Sequence, residues 1–574
     1  MERPRVLPTD DYEAGRGLLI RVGDYCVKVS IDSWTIMAFS ADLRDVTPYL
    51  RLPKLRELDK LLTGRRYKPI RDMLGSAMPM VVRMIQTEIP RLLDKRRSKP
   101  EESVAVPDSE VERCVEKIKS NPTWMLELHR HFDLVIAEEY RNRMLAYVVC
   151  ASSKLHPSEG VRPALELRGE SGGGKSHTLD CVTKMFPNVE EFTSVTMKAL
   201  RRSAKELGNL QHKILYVTER EALDRSEDLR ELLTRGRLRV LSSEKTDKGV
   251  LTSTIHKFVG YPVFITTYVN PKMAPQMATR LLFSAVDMSE EHQRMVLMKQ
   301  AELENQPELE EAYNRLCAVY REYFRRLGSY GVCVPMSYNL HKMWPTVKYR
   351  LPYRDFKKFI KLTKAITLLN QYHRPFYRHG DEYRLIALPV DVLMAVGLAW
   401  DVISATMLNL SPPEIQVYRK AMPLIMEKGY CELGEISKEL GWRKGYVEMC
   451  ANNLVENGLL EYGTHPDDRR RKVLVEGKVR IEQFDEAARN IVKELSKPEL
   501  LENCLRAWWS VSALYKKTLD DEMVQFTSPD EAVEEYRKVS EAVWRDLLAN
   551  PESPFYIGEY ATQEVIDRFI RHRE

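Results

Sequence analysis

Residues 169–176 run Gly169, Glu170, Ser171, Gly172, Gly173, Gly174, Lys175, Ser176, which fits G-x-x-x-x-G-K-[ST]. The chemistry this spacing allows is phosphate binding. Consecutive glycines let the backbone wrap tightly, so successive N–H groups converge on an anion. Lys175 reaches the β and γ phosphates of a nucleoside triphosphate, and the Ser176 hydroxyl is a ligand for Mg2+. His177 opens the run HTLDCVTKMF, a helix whose amino end faces the same anion. No Asn-Lys-x-Asp pattern for reading guanine is present, which favours ATP over GTP.

Hydrolysis also needs an acceptor that positions water in line with the γ phosphate. ILYVTERE (214–221) is an apolar run ending in acid, about 45 residues after the loop. Glu219 is the candidate base and a Mg2+-organising acid. Thr218 stands where an aspartate is usual and could hold a metal-bound water, with Glu221 as the fallback acid. The next strand, PVFITT (262–267), ends in Thr266 and Thr267, with Asn270 beyond; Thr267 is the candidate contact to the γ phosphate. Arg280, or less well Arg294, supplies positive charge to the transferring phosphoryl group, a role that a neighbouring subunit can fill.

Between the acidic strand and PVFITT lie two alternating, β-branched runs, RLRVLSS (237–243) and VLTSTIHKF (250–258). EKTDKG joins them into a hairpin with Lys245 and Lys248 at the tip and Gly249 free to take a left-handed turn. Six such tips in a ring would converge on a central channel and grip a nucleic-acid backbone.

These residues need a scaffold. With 574 residues, 44% hydrophobic and 30% charged, the chain reads as several soluble domains. A basic amino-terminal domain (1–95) begins with a strand pair turning at Gly23-Asp24. A charged linker (96–110) leads to an α/β core (111–300), where strand and helix patterns alternate. A helical lid (301–410), a small domain (411–478) and a helical carboxy-terminal region (479–574) follow. The nine cysteines include no C-x-x-C pair, which speaks against structural zinc or disulfides. MERPRVLPTD is too polar for a secretory leader. The longest apolar stretch, Val392 to Trp400 between Asp391 and Asp401, is too short to span a bilayer. A cytoplasmic protein without a membrane partner is expected.

The small domain (411–478) reads as helix, helix, helix and a two-stranded wing, the layout of a winged helix. Arg443, Lys444, Tyr446 and Asn453 are candidate DNA contacts from the third helix. Arg469, Arg470, Arg471 and Lys472 on the wing are candidate phosphate contacts.

The order of phosphate loop, acidic strand, hairpin, polar strand end and arginine resembles the AAA+ ATPases with a pre-sensor-1 hairpin, among them minichromosome-maintenance and superfamily 3 helicases. It is also similar to helicase-like proteins of mobile elements that accompany primases, on SGGGKS, TERE, LRELLTRGRLRV, GYPVFITT, ATRLLF and YRDFKKFIKLTKAITLLNQYHRP. The resemblance spans about residues 110–390. It implies an AAA+ type P-loop fold, a hexameric ring using ATP and Mg2+, and a DNA motor or replication initiator that can partner a primase. Arg350 or Arg354 would then be a second nucleotide sensor. The competing expectation is a non-translocating ATPase switch that binds DNA and recruits partners.

Overall fold

The structure, a computed structural model, describes residues 4–7, 17–30, 35–40, 47, 50–51, 58–98, 107–169, 172–194, 209–219, 227–245, 251–268, 279–287, 289–346, 352–408, 410, 412–468 and 470–570. The chain divides into two compact units, Met1–Ala105 and Val106–Glu574.

In the first unit, β1 (Arg5–Leu7), β2 (Gly17–Val22), β3 (Tyr25–Ser30), β4 (Thr35–Ser40) and β5 (Leu50–Arg51) form an antiparallel sheet in sequence order. Gly23 has φ 58°, as the expected two-residue turn to Asp24 requires. Leu18, Ile20, Val27, Val29 and Ile36 are buried in one core with residues of α1 (Lys60–Thr63), α2 (Lys68–Leu74) and α3 (Met78–Ser98). Lys60, Arg65, Arg66 and Lys68 face solvent. Arg71 instead donates to the carbonyls of Leu61 and Gly64, at 3.2 and 2.6 Å, closing the preceding helical turn.

The second unit opens with α4 (Asp108–Ser120), α5 (Trp124–His131) and α6 (Tyr140–Ala151). Helix therefore occupies both ends of the expected 96–110 linker. Next come β6 (Ala164–Arg168), α7 (Lys175–Thr183), β7 (Val189–Ser194), β8 (Ile214–Glu219), α8 (Glu227–Arg235), β9 (Arg237–Lys245), β10 (Leu251–Val259), β11 (Val263–Tyr268) and β12 (Leu281–Ala285). Five of these strands form a sheet in the order β12-β6-β11-β8-β7, every neighbouring pair parallel. A parallel sheet is covered on both faces, so its inner strands are mainly apolar; the edge strand β7 (VEEFTS) is not, and the one buried acid of β6, Glu166, is met by Arg168 at 2.7 Å. Leu165, Leu167, Tyr216 and Ile265 enter one core; Ala164, Leu215, Val217 and Phe264 enter a second with Leu229, Leu232 and Leu233 of α8.

The chain continues through α9 (Glu290–Asn305), α10 (Glu308–Arg326), β13 (Gly331–Cys333), α11 (Ser337–Met343), α12 (Pro352–Leu369), β14 (Phe376–His379), β15 (Glu382–Ile386) and α13 (Pro389–Leu408). The segment expected as a lid is built into the body of the domain. Its apolar residues share the larger core with the parallel sheet. Two of its helices also satisfy the edge strand β12: Phe283 N–H donates to Thr406 Oγ1 (3.2 Å), and Lys358 Nζ donates to the Leu281 carbonyl (2.8 Å). The apolar stretch is longer than expected, because α13 continues through both flanking aspartates. This 20-residue helix is long and apolar enough to cross a membrane, with an 18-residue stretch of mean hydropathy 1.6, but 83% of that stretch is buried inside the protein. Asp391 is tolerated there because Arg374, equally buried, meets it at 2.6 Å.

Glu159, just before β6, joins this body to α12 through Lys361 (2.8 Å) and Lys364 (2.7 Å). Burial pushes its carboxyl up, but the two lysines outweigh burial and hold it down to about 2. A carboxylate with a depressed pKa adds stability above its unfolded value, near 4.3, and loses it as pH falls through the folded value. Glu159→Gln should therefore melt at a lower temperature than the parent at pH 7, with the gap closing as the pH approaches about 2.

Next come α14 (Pro412–Lys428), α15 (Leu433–Leu440), α16 (Lys444–Glu456), β16 (Leu460–Thr464) and β17 (Lys472–Glu476): three helices, then an antiparallel pair. The remainder is α17 (Glu482–Leu495), α18 (Pro498–Trp509), β18 (Leu514–Lys517), β19 (Met523–Gln525), α19 (Pro529–Ala549) and α20 (Gln563–Ile570). It is not purely helical. β18 and β19 complete a sheet ordered β13-β15-β14-β18-β19, so residues 331–386 and 514–525 build one layer. Strands of three to five residues are too short for alternation to show in sequence.

Candidate functional site

The loop after β6 has the backbone that phosphate binding requires. Gly172 and Gly174 have φ 85° and 75°, and Gly174 is the residue on which α7 starts. A Cβ on Gly169 would lie 2.4 Å from Val286 Cγ2, so only glycine lets β6 leave the sheet beside the end of β12. Lys175 is buried at the first turn of α7, and Ser176 beside it is exposed. Glu170 and Ser171 lie outside the described residues. The geometry fits a nucleoside triphosphate with Mg2+: positive-φ glycines, a lysine fixed at a helix amino terminus and an open serine hydroxyl.

α7 is anchored from two sides. Tyr216 in β8 donates its hydroxyl to Asp180 Oδ1 at 2.7 Å, and burial pushes that phenol's pKa up. His177 Nε2 donates to the Val135 carbonyl at 2.9 Å. The side chain of His177, expected at the phosphates, is thus turned to the segment before α6. Only its main chain remains in the first helical turn, whose N–H groups lack partners within the helix.

Along the carboxyl edge of the sheet, β11 separates the loop strand β6 from the acidic strand β8. At about 4.8 Å per strand, this puts the ends of β6 and β8 roughly 10 Å apart. A crevice at the carboxyl ends of parallel strands is where ligands bind in open α/β sheets. Glu219 closes β8 at this edge; its side chain lies outside the described residues, as do Glu221 and Asn270. Thr218 does not serve a metal-bound water as a donor, because its hydroxyl donates to the Thr193 carbonyl at 2.9 Å. Thr266 and Thr267 are buried and donate to the carbonyls of Val217 and Thr218, at 2.6 and 2.8 Å. Phosphate oxygens are acceptors, so the Thr267 hydroxyl proton is already used. Its direct effect is to lock the end of β11 onto β8, one residue beyond the last ladder pair, Thr266 with Val217.

The arginines lie at the opposite edge. Leu281 pairs with Ala164 and Ala285 with Arg168, so Arg280 sits at the amino end of β12, one strand length (about 13 Å) from the loop edge. Arg280 Nε donates to Thr234 Oγ1 at 2.8 Å. Burial, then the nearby Arg354 and Arg230, push its pKa down. Arg354 donates to Thr279 Oγ1 at the same edge. Arg354, expected as a second sensor, therefore stands with Arg280 at the edge opposite its own chain's loop. Arg350 lies outside the described residues.

Glu138 and Glu139 gave no sequence signal, since two glutamates before a helix read as exposed charge. Both have left-handed backbone, φ 48° and 54°. Glu139 Oε1 accepts the Asp287 N–H (2.7 Å), Asn142 Nδ2 donates to the Ala285 carbonyl (2.8 Å), and His292 Nδ1 meets Glu138 Oε2 (2.9 Å). Burial pushes the Glu139 carboxyl up, against the Asp287 N–H, which pulls it down. The cluster ties the start of α6 to the end of β12, next to the Val286 that touches Gly169.

The hairpin forms as expected, β9 against β10 with Lys245 opposite Leu251; Lys248 and the rest of the tip lie outside the described residues. In residues 412–476, Arg443, Lys444 and Arg470 are exposed, and Arg469 lies outside the described residues. Arg471 is 64% exposed and approaches Asp468 (3.5 Å) and Glu432 (3.8 Å), which partly neutralise it. Asn453 is not a free helix contact: its amide donates to Glu414 on α14 at 2.5 Å.

Residues 117–329 match a family model described as the MTBMA_p00010 P-loop domain. No curated protein matches the chain. Fold, loop geometry and this match define a P-loop NTPase domain of the α/β class. Such domains generally bind a nucleotide with Mg2+.

Proposed function

We propose that this chain is an ATP-driven, ring-forming motor of AAA+ type that acts on DNA. One observation carries the reading. The nucleotide loop occupies the carboxyl edge of the sheet, while Arg280, Arg354 and Arg230 gather at the amino edge, where the hairpin also emerges. An arginine about 13 Å from its own loop cannot stabilise its own phosphoryl group, but a head-to-tail copy brings it to the next loop, and such interfaces close into rings. Lys175, Ser176 and Glu219 then act within one subunit and Arg280 across the interface. Nucleotide turnover moves the hairpin along the polynucleotide. Residues 412–476 are the winged helix that anchors the ring on duplex DNA, through Arg443, Lys444 and the wing arginines. A primase is a fitting partner for such a motor.

Subunit mixing tests the arrangement. Lys175→Ala and Arg280→Ala proteins should each be inactive. An equal mixture should recover about one quarter of the parent turnover, the share of head-to-tail interfaces that join an intact loop to an intact arginine. No recovery from subunits shown to exchange would sink the shared site.

A second reading, a non-translocating switch that recruits partners, is favoured by the outer face of α16. Tyr446 and Met449 are 43% and 50% exposed there, and Tyr462 on the wing bonds Asn452 beside them. That face also carries the exposed Glu448, close to Tyr462, so it is apolar and acidic rather than basic. Strand displacement separates the two readings: a switch hydrolyses ATP and unwinds nothing.

A further inference from the structure

The hairpin register sorts its charges by face. Residues two apart on a strand share a face, and paired residues lie opposite one another on that face. Arg237 pairs with Val259, Arg239 with Lys257, Leu241 with Ile255, Ser243 with Ser253 and Lys245 with Leu251. All these positions belong to one face, which holds four cations and no acid. Glu244, paired with Thr252, holds a position on the other face, as do Leu238 and Phe258, which are buried in the core at the hairpin's base. Arg237, Arg239 and Lys257 are exposed, and Ile255 and Val259 beside them are 47% and 61% exposed.

Arg239 and Lys257 stand directly opposite, an arrangement that destabilises an isolated antiparallel pair. Among the described residues none of the three basal cations has an ion-pair partner, whereas nearby Arg230 and Arg235 on α8 bridge to Glu227 and Glu231. A surface of like charges interleaved with exposed apolar side chains suits a partner that alternates anionic and apolar groups. A single-stranded polynucleotide, with its phosphodiester backbone and its sugars and bases, does this.

We propose that the basal face of the hairpin, through Arg237, Arg239 and Lys257, is a second polynucleotide-binding site that continues the grip of the tip. The inference rests on the motor reading above. Arg239 and Lys245 are six residues apart on one strand, about 20 Å, so the ribbon holds several nucleotides along its length. The phosphodiester charge is common to DNA and RNA, and both are arms of the test.

The full chain, with ATP analogue present, is titrated with fluorescent single-stranded DNA and RNA oligonucleotides at several salt concentrations. Each single-strand phosphate contact contributes roughly 0.7 to the log–log salt slope. Arg239→Gln with Lys257→Gln should therefore lower the slope by about 1.4 on the strand that the protein uses, whereas Arg239→Lys with Lys257→Gln should lower it by only about 0.7. Melting temperature checks that the variants are folded. If Lys245→Gln lowers the slope while the basal pair leaves it unchanged, the second site is wrong and the motor reading stands. If the parent binds neither strand, both fail. If the basal pair changes the sedimentation of the ring and not the slope, the face is a subunit contact and the inference is overturned.

Discussion

Lys175→Ala should abolish nucleotide turnover, lowering kcat by at least two to three orders of magnitude, about the loss seen when one preorganised charge donor is removed from a transition state. Phosphoryl transfer leaves a protein little covalent work, so rate comes almost entirely from positioning and charge. Lys175 is placed for both. It is the first residue of α7, it follows a glycine whose φ of 75° turns the chain into the helix, and its buried stem fixes the reach of its ammonium. The loop glycines and the anchors on α7, Tyr216 to Asp180 and His177 to Val135, do not depend on that ammonium. Fold and melting temperature should therefore be kept while both turnover and nucleotide affinity fall. Single-turnover hydrolysis with direct titration of nucleotide makes the measurement. Turnover within tenfold of the parent would remove Lys175 from the phosphates. Lys175→Arg tests geometry separately from charge, since a planar guanidinium does not fit a cradle shaped for a point charge.

The parts legible in sequence were those written in local signals. ALELRG followed by glycines gave β6 and its loop, and ILYVTE and PVFITT gave two central strands, because buried parallel strands are unbroken apolar runs. β-branched alternation gave the hairpin. Pairing partners were not local, and most of the site's physics follows from them. Only the register of β12 with β6 shows that Arg280 stands a strand length away from its own loop. Only the register of β9 with β10 separates four cations from Glu244. Thr267 looked like a phosphate contact because its carbonyl partner, Thr218, lies 49 residues away in sequence. The sheet shared by residues 331–386 and 514–525 was invisible for the same reason, since LYKK carries no pattern until Tyr515 meets Phe376.

Glu219→Gln should separate binding from hydrolysis. A general base contributes about two to four orders of magnitude to rate, and an amide of the same shape cannot accept water's proton at neutral pH. Nucleotide affinity should stay within a few-fold of the parent, because the glycine cradle, Lys175 and Ser176 are untouched. The structure sharpens this expectation. Thr218, which stands in place of the usual acid, has its hydroxyl turned to Thr193. The end of β8 is also held rigidly, by β7 on one side and by the Thr266 and Thr267 hydroxyls on the other. Glu219 is thus the first acid at the carboxyl edge of that strand, and no aspartate precedes it there to carry part of the role. Glu221→Gln serves as the comparison. If Glu219→Gln still turns over while Glu221→Gln does not, the base lies two residues further along the chain. If both retain turnover, the acidic strand does not supply the base. If Glu219→Gln alone is silent yet still binds nucleotide, the variant should stay in its nucleotide-bound state. On the motor proposal, polynucleotide affinity should then rise with ATP and stay high, and in the parent it should fall as ATP is consumed.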